Sequence, residues 1–175
     1  MLDTLVSSKT KVKLLLKFFL NSNNTAYLRN LETEFSESTN AIRLELNKFE
    51  ESGLLNSYFQ SNKKIFKANT SHPLFPEINS IIRKYIGIDK IIDSIISKLG
   101  VPEKVWLVGK LARGLDSEHI DLLIQGDVNT EYLESLVTKV EKMIKKKVVI
   151  SLISANSGDP FLNSKEPNLL LWTKD

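Results

Sequence analysis

Between Val12 and Phe49 the apolar residues recur mostly three and four positions apart, the spacing of one face of a helix. Val12, Leu15, Leu16 and Phe19 predict a first helix over residues 9–20, with Lys9, Lys13 and Lys17 on a separate, solvated face. Asn21-Ser22-Asn23-Asn24 is a polar turn. Ala26, Leu28, Leu31 and Phe35 predict a second helix over residues 25–35, and Ser36-Glu37 is a tight turn. A third helix then runs between Ser38 and Gly53. The Ser38 hydroxyl caps a free backbone N–H of its first turn, and Gly53 suits the left-handed position that ends a helix. Ile42, Leu46 and Phe49 form its apolar back, and Thr39, Asn40, Arg43 and Asn47 its hydrogen-bonding front. Residues 56–67 hold two short β-prone segments around a polar turn, which predicts a hairpin with Lys63 and Lys64 at its tip.

Pro73 and Pro76 mark residues 70–76 as a linker, because two prolines prevent a continuous helix. Beyond it Ile78, Ile81, Ile82, Tyr85, Ile88, Ile92, Ile95, Ile96 and Leu99 trace a long apolar stripe, with Gly87 as an interruption and Gly100-Val101-Pro102 as its end. Val105–Val108 and Val148–Ile153 read as buried strands, residues 131–147 as a helix with Leu133, Leu136, Val137, Val140 and Ile144 inside, and Leu169-Leu170-Leu171-Trp172 as an apolar edge segment. The prediction is an α+β protein: a helical domain with a hairpin (residues 1–76), a linking and dimerisation helix (77–101) and a small α/β domain (102–175).

Composition narrows the function classes. The chain has 175 residues, 42% hydrophobic and 26% charged, as in ordinary globular proteins. It has no cysteine, which excludes disulfides, thiolate catalysis and cysteine-type zinc sites. His72 and His119 are too far apart in sequence for a metal-spacing motif. No apolar run approaches the ~20 residues of a membrane span, and a signal-like start is absent, so the expected location is the cytoplasm. The net charge of +3 is localised: residues 1–70 hold ten Lys/Arg against seven Asp/Glu, and residues 71–175 hold fourteen of each. The excess therefore falls where contacts to phosphates would be made. No cofactor is expected.

The order helix, helix, turn, helix, basic-tipped hairpin is that of a winged helix-turn-helix, whose third helix enters the major groove while the hairpin meets the backbone or minor groove. Residues 25–76 resemble a bacterial winged-helix regulator of the arsenical-repressor-like (ArsR-like) type, through Tyr27-Leu28, Leu31, the run Ser38 to Asn47, Glu51-Ser52-Gly53-Leu54-Leu55, and Asn69 with His72-Pro73-Leu74-Phe75-Pro76-Glu77. The resemblance implies a homodimer on double-stranded DNA. Asn40 and Arg43 are then base-edge candidates, because amide and guanidinium forks pair with adenine and guanine. Thr39, Asn47, Lys63 and Lys64 would make mixed base and phosphate contacts. Glu37 departs from the family, which carries a small apolar residue in that turn. It would either loosen helix docking or set an acid near phosphate.

Residues 103–154 resemble the minimal nucleotidyltransferase domain of the polymerase-beta superfamily. Gly109, Ala112, Arg113, Gly114, Asp121 and Leu122 match its Gly-Ser-x-Ala-Arg-Gly and Ser-Asp-x-Asp-Leu motifs. In that family paired aspartates bind two divalent cations, and a later strand supplies a third carboxylate. Here Lys110 replaces the serine, His119 replaces the first aspartate, and Val148–Ile153 carries no acid. The resemblance implies a nucleotidyltransferase-like domain that has lost catalysis and serves assembly or ligand sensing. The alternative is an active nucleotidyltransferase targeted by the winged helix. Asp116 and Glu118 read as solvated, and Lys145-Lys146-Lys147 as solvated edge protection. Two readings of Gly109, Lys110, Arg113 and Asp121 stay open. Either the cations beside a glycine turn hold a nucleotide phosphate or other anion, or Arg113 and Asp121 hold the turn itself through polar contacts.

Overall fold

The Ser8 hydroxyl accepts from the Lys11 N–H at 3.2 Å and starts α1 (Lys9–Leu15), which continues as a π-helical stretch, Leu16–Leu20. A π turn is wider than an α turn and rotates the residues after it off the 3.6-residue period. Leu14 and every residue of Leu16–Leu20 are therefore buried, whereas Leu15, expected inside, is half-buried. Each fully buried Leu or Phe here contributes about 1.5–3 kcal/mol. The computed structural model describes residues 6–98 and 100–174. The chain is mixed α+β with two separate sheets. It divides into two units, one running up to Tyr85 with Gly114–Asp116, the other made of Ile86–Arg113 and Ser117–Asp175.

Residues 25–27 are not the first turn of the second helix. They form β1 (Thr25–Tyr27), antiparallel to β3 (Lys63–Ala68) with Ala26 opposite Phe66. Thr and Tyr favour extended backbone, and the edge of the hairpin satisfies their peptide groups. Helix α2 (Leu28–Phe35) follows, and Ser36 ends it in the left-handed conformation, φ 52°. Helix α3 (Thr39–Glu51) is capped as expected, with the Ser38 hydroxyl accepting from the Ala41 N–H at 3.2 Å. β2 (Leu55–Gln60) completes the hairpin, and the sheet order is β1-β3-β2.

Of the three lysines expected on a solvated face, Lys9 is exposed, whereas Lys13 and Lys17 face acids. Lys11 lies 3.7 Å from Glu45 of α3. Lys13 lies 2.6 Å from Glu37 in the turn and donates to the Phe35 carbonyl at 2.8 Å. Lys17 is 5% exposed and 2.7 Å from Glu34 of α2. The Thr10 hydroxyl also donates to Glu37. Burial alone would raise the Glu37 pKa, but the hydrogen bonds from Lys13 and Thr10 and the charges of Lys13 and Lys9 hold it below its ordinary 4.5. Glu37 thus joins α1 to the turn, the reverse of a residue that loosens docking.

The long apolar stripe is broken at Gly87 into α4 (Phe75–Ile86) and α5 (Ile88–Lys98). Gly87 has φ 92°, and a Cβ there would come within 2.7 Å of Ile144. Ile82, Ile88, Ile92 and Ile95 are buried as expected, Ile86 and Ile91 join them, and Ile81 is 49% exposed. Leu99 and the side chain of Ile96 lie outside the described residues. In the second unit β4 (Gly100–Val108) begins well before Val105. After it come α6 (Gly109–Ala112), β5 (His119–Val128), α7 (Thr130–Ile144), β6 (Lys147–Ile153) and β7 (Leu169–Thr173), with sheet order β6-β5-β4-β7. β5 and β6 are parallel, so α7 is the crossover between them. β7 docks at the other edge as expected, Trp172 opposite Val105. β6 is an edge strand and not a buried one: Val149 is 48% and Leu152 38% exposed.

Side chains alternate across the sheet. Val105, Leu107, Ile120, Leu122 and Ile124 are buried on one face, and α5 packs against β4 and α7. On the other face Trp106 meets Phe161 edge-on at 5.6 Å. Gln125 donates to the carbonyls of Ala155 (3.3 Å) and Ser157 (2.5 Å), so the segment between β6 and β7 roofs that face.

The Glu37 contacts predict a pH-dependent contribution to stability. A carboxylate with a depressed folded-state pKa stabilises above its unfolded value, and the stabilisation is lost as pH falls through the folded value. Glu37→Gln is expected to lower unfolding free energy by roughly 1.5 kcal/mol at neutral pH, the scale of a charge-assisted hydrogen bond. The gap to wild type should close below pH 4.5. Urea denaturation of both forms across this range measures it, and a gap independent of pH would refute the assignment.

Candidate functional site

The back of α3 is fixed by Ile42, Leu46 and Phe49, each 5% exposed or less. Asn40, Arg43 and Asn47 consequently face outward and are exposed, with Thr39 partly so. The Arg43 Nη1 donates to the Asn40 Oδ1 at 3.2 Å, one helical turn away. Between α3, the start of α2 and the hairpin lies an open groove of about 710 Å³. Tyr27, Leu28, Leu46 and Phe66 give it apolar walls, and Arg29, Arg43, Lys63 and Lys64 line it with positive charge, against one acid, Glu32. Thr39, Arg43, Asn47, Lys63 and Lys64 all line this groove, while Asn40 lies outside it.

The two hairpin lysines differ. Lys64 is 2.6 Å from Glu50 and sits over the Phe66 ring at 5.1 Å. The hydrogen bond from Lys64, then that from the Ser57 hydroxyl at 2.5 Å, holds Glu50 below its ordinary 4.5. Lys63 sits over the Tyr27 ring at 4.5 Å, and no described acid pairs with it or with Arg43. Arg29 is a groove residue that sequence reasoning missed. It seemed an ordinary helix position. Pairing of β1 with β3 is what brings the start of α2 beside the hairpin. His72 is structural, its Nδ1 accepting from the Leu74 N–H at 3.1 Å.

In the second unit the chain leaves β4 at Val108 and turns at Gly109, φ 69°, into α6. Register places Val108 opposite Asp121, and a Cβ on Gly109 would overlap the Asp121 carboxylate. Gly109 and Asp121 are therefore brought together. Arg113 is directed elsewhere, to Glu166 at 2.6 Å, a partner absent from the sequence reading. Lys110 and His119 are exposed. On β6, Glu141 reaches back from α7 to accept from the Val148 N–H at 2.9 Å and to pair with Lys147 at 3.1 Å, and these contacts lower its pKa. Lys147 is thus paired, not merely solvated, and the Lys146 Nζ donates to the Ser117 carbonyl at 2.5 Å. Among the described residues no group of three or more His, Cys, Asp or Glu could hold a metal ion. No helix among them is long and apolar enough to cross a membrane.

Gly109→Ala is expected to destabilise the second unit by at least the 1–2 kcal/mol that about one left-handed non-glycine residue costs, with a further steric part from Asp121. In a double-mutant cycle Asp121→Ala should recover only the steric part. Additive effects in thermal unfolding would show that the two residues do not touch.

No protein-family model matches the chain, and no curated protein matches it. Among solved structures, a mutant form of the toxin-antitoxin MntA-HpeT is similar at 17% identity and a TM-score of 0.38, over 50% of this chain and 73% of that one. A likeness of this size says nothing about what this chain binds or does.

Proposed function

We propose that the first unit is an arsenical-repressor-like winged helix-turn-helix that reads double-stranded DNA, and that the protein is a transcriptional regulator acting as a homodimer. The observation that carries this reading is the groove flanked by outward hydrogen-bonding residues of α3 and by cations from three elements, Arg29, Arg43 and Lys63. Phosphates attract such cations whatever the sequence, and the amide and guanidinium groups of α3 suit base edges. Domain boundaries after residues 76 and 101 go with this reading, residues 77–101 linking and dimerising the chain.

The second unit, in the same proposal, is a nucleotidyltransferase-like domain without catalysis, used for assembly or for sensing an anionic ligand at Gly109, Lys110, Arg113 and Asp121. In support, Asp121 lies beside the glycine turn, while Lys110 and His119 stand at the other family positions and β6 carries no carboxylate. An anion at Arg113 would displace Glu166.

Selection of binding sites from random duplexes tests the DNA reading. An enriched, palindromic site is expected. Arg43→Ala should relax preference at one position of each half-site, by about 1–3 kcal/mol of discrimination. Lys63→Ala should weaken binding to all duplexes and reduce the salt slope by about one. Lys64→Ala should do less, because Glu50 already holds that ammonium. If no duplex is enriched, α3 is not a DNA reader.

A further inference from the structure

The outward side of α3 carries one large apolar residue. Leu44 is 54% exposed, although every other leucine, isoleucine or phenylalanine of α3 is 5% exposed or less. Asn40, Leu44 and Asn47 stand at i, i+4 and i+7, so they form one ridge opposite the buried stripe, and all three are exposed. Arg43 lies toward the groove, where Arg29 and Lys63 supply further positive charge. The ridge is thus apolar at its centre and amide at both sides, with Arg43 on its groove flank and Lys48 on the other.

Resting on the DNA-reading proposal, we infer that Leu44 reads the 5-methyl group of thymine and that the ridge selects an A·T-rich half-site. In the major groove thymine is the base that presents a methyl, and adenine presents an acceptor and a donor that an asparagine amide pairs with. Asn40 retains both Nδ2 protons and a second Oδ1 lone pair while it accepts from Arg43. A leucine against a G·C pair would instead bury base-edge polar groups without partners, which is unfavourable. Arg29 and Lys63 place the phosphodiester backbone along the groove and leave the ridge, with Arg43 beside it, to the bases.

The test uses the full chain and the site enriched from random duplexes, synthesised once with thymine and once with deoxyuridine, which lacks the methyl. Wild type should bind the deoxyuridine site about four-fold more weakly for each methyl that Leu44 buries. Leu44→Ser, whose side chain is outside the core, should bind the two sites equally. Wild type that binds both equally, a variant that still discriminates, or an enriched site rich in G·C would overturn the inference while leaving DNA reading intact. A chain that enriches no duplex would sink both.

Discussion

Glu37 stands in the turn between α2 and α3 and receives the ammonium of Lys13 and the hydroxyl of Thr10, both from α1. The adjacent contacts repeat the pattern, Lys17 to Glu34 before the turn and Lys11 to Glu45 after it. One cationic edge of α1 therefore fastens α2, the turn and α3 together. Ion pairs that are partly buried and carry hydrogen bonds fix geometry more than they add net stability. Here the geometry is the direction in which α3 presents its front. Five of the first unit's lysines, including Lys48 and Lys64, face an acid within the fold. Arg29, Arg43 and Lys63, which line the groove, pair with no described acid.

The second unit solves a different problem. Its sheet has two faces to bury with a short chain. Helices cover one, and the stretch between β6 and β7 covers the other by way of Phe161 and the carbonyls that receive Gln125. The same stretch carries Glu166 to Arg113. The roof thereby partly neutralises the charge of Arg113 beside the glycine turn.

What the sequence showed clearly was what short-range signals encode. The Ser38 cap, the stripe of Ile42, Leu46 and Phe49, and Gly53 lie within one helix, and their expected roles match the structure. The hairpin and the edge strand at Leu169–Thr173 were legible for the same reason. β1 was not, because three extended residues have no period of their own and need a partner at Ile65–Lys67. Lys13 and Lys17 looked solvated because their acids come from separate segments, 24 and 17 residues away. Arg29 and Glu166 were invisible on similar grounds: each takes its place through a neighbour distant in sequence, Arg113 and Glu166 being 53 positions apart. Of the residues expected to contact DNA, Lys64 lines the groove but is held by Glu50, which could not be foreseen beside it.

The chain holds two tryptophans, and both belong to the second unit's sheet. Trp106 is 4% exposed beneath Phe161, and Trp172 pairs across from Val105 on the neighbouring strand. Indole emission on excitation near the red edge therefore comes from this unit alone. The first unit, with Tyr27, Tyr58 and Tyr85 but without tryptophan, is silent there. Any opening of the roof exposes Trp106 to water and changes its emission, so the chain carries a native optical reporter on the lid of its own sheet, spectrally separate from the part that faces DNA in our proposal.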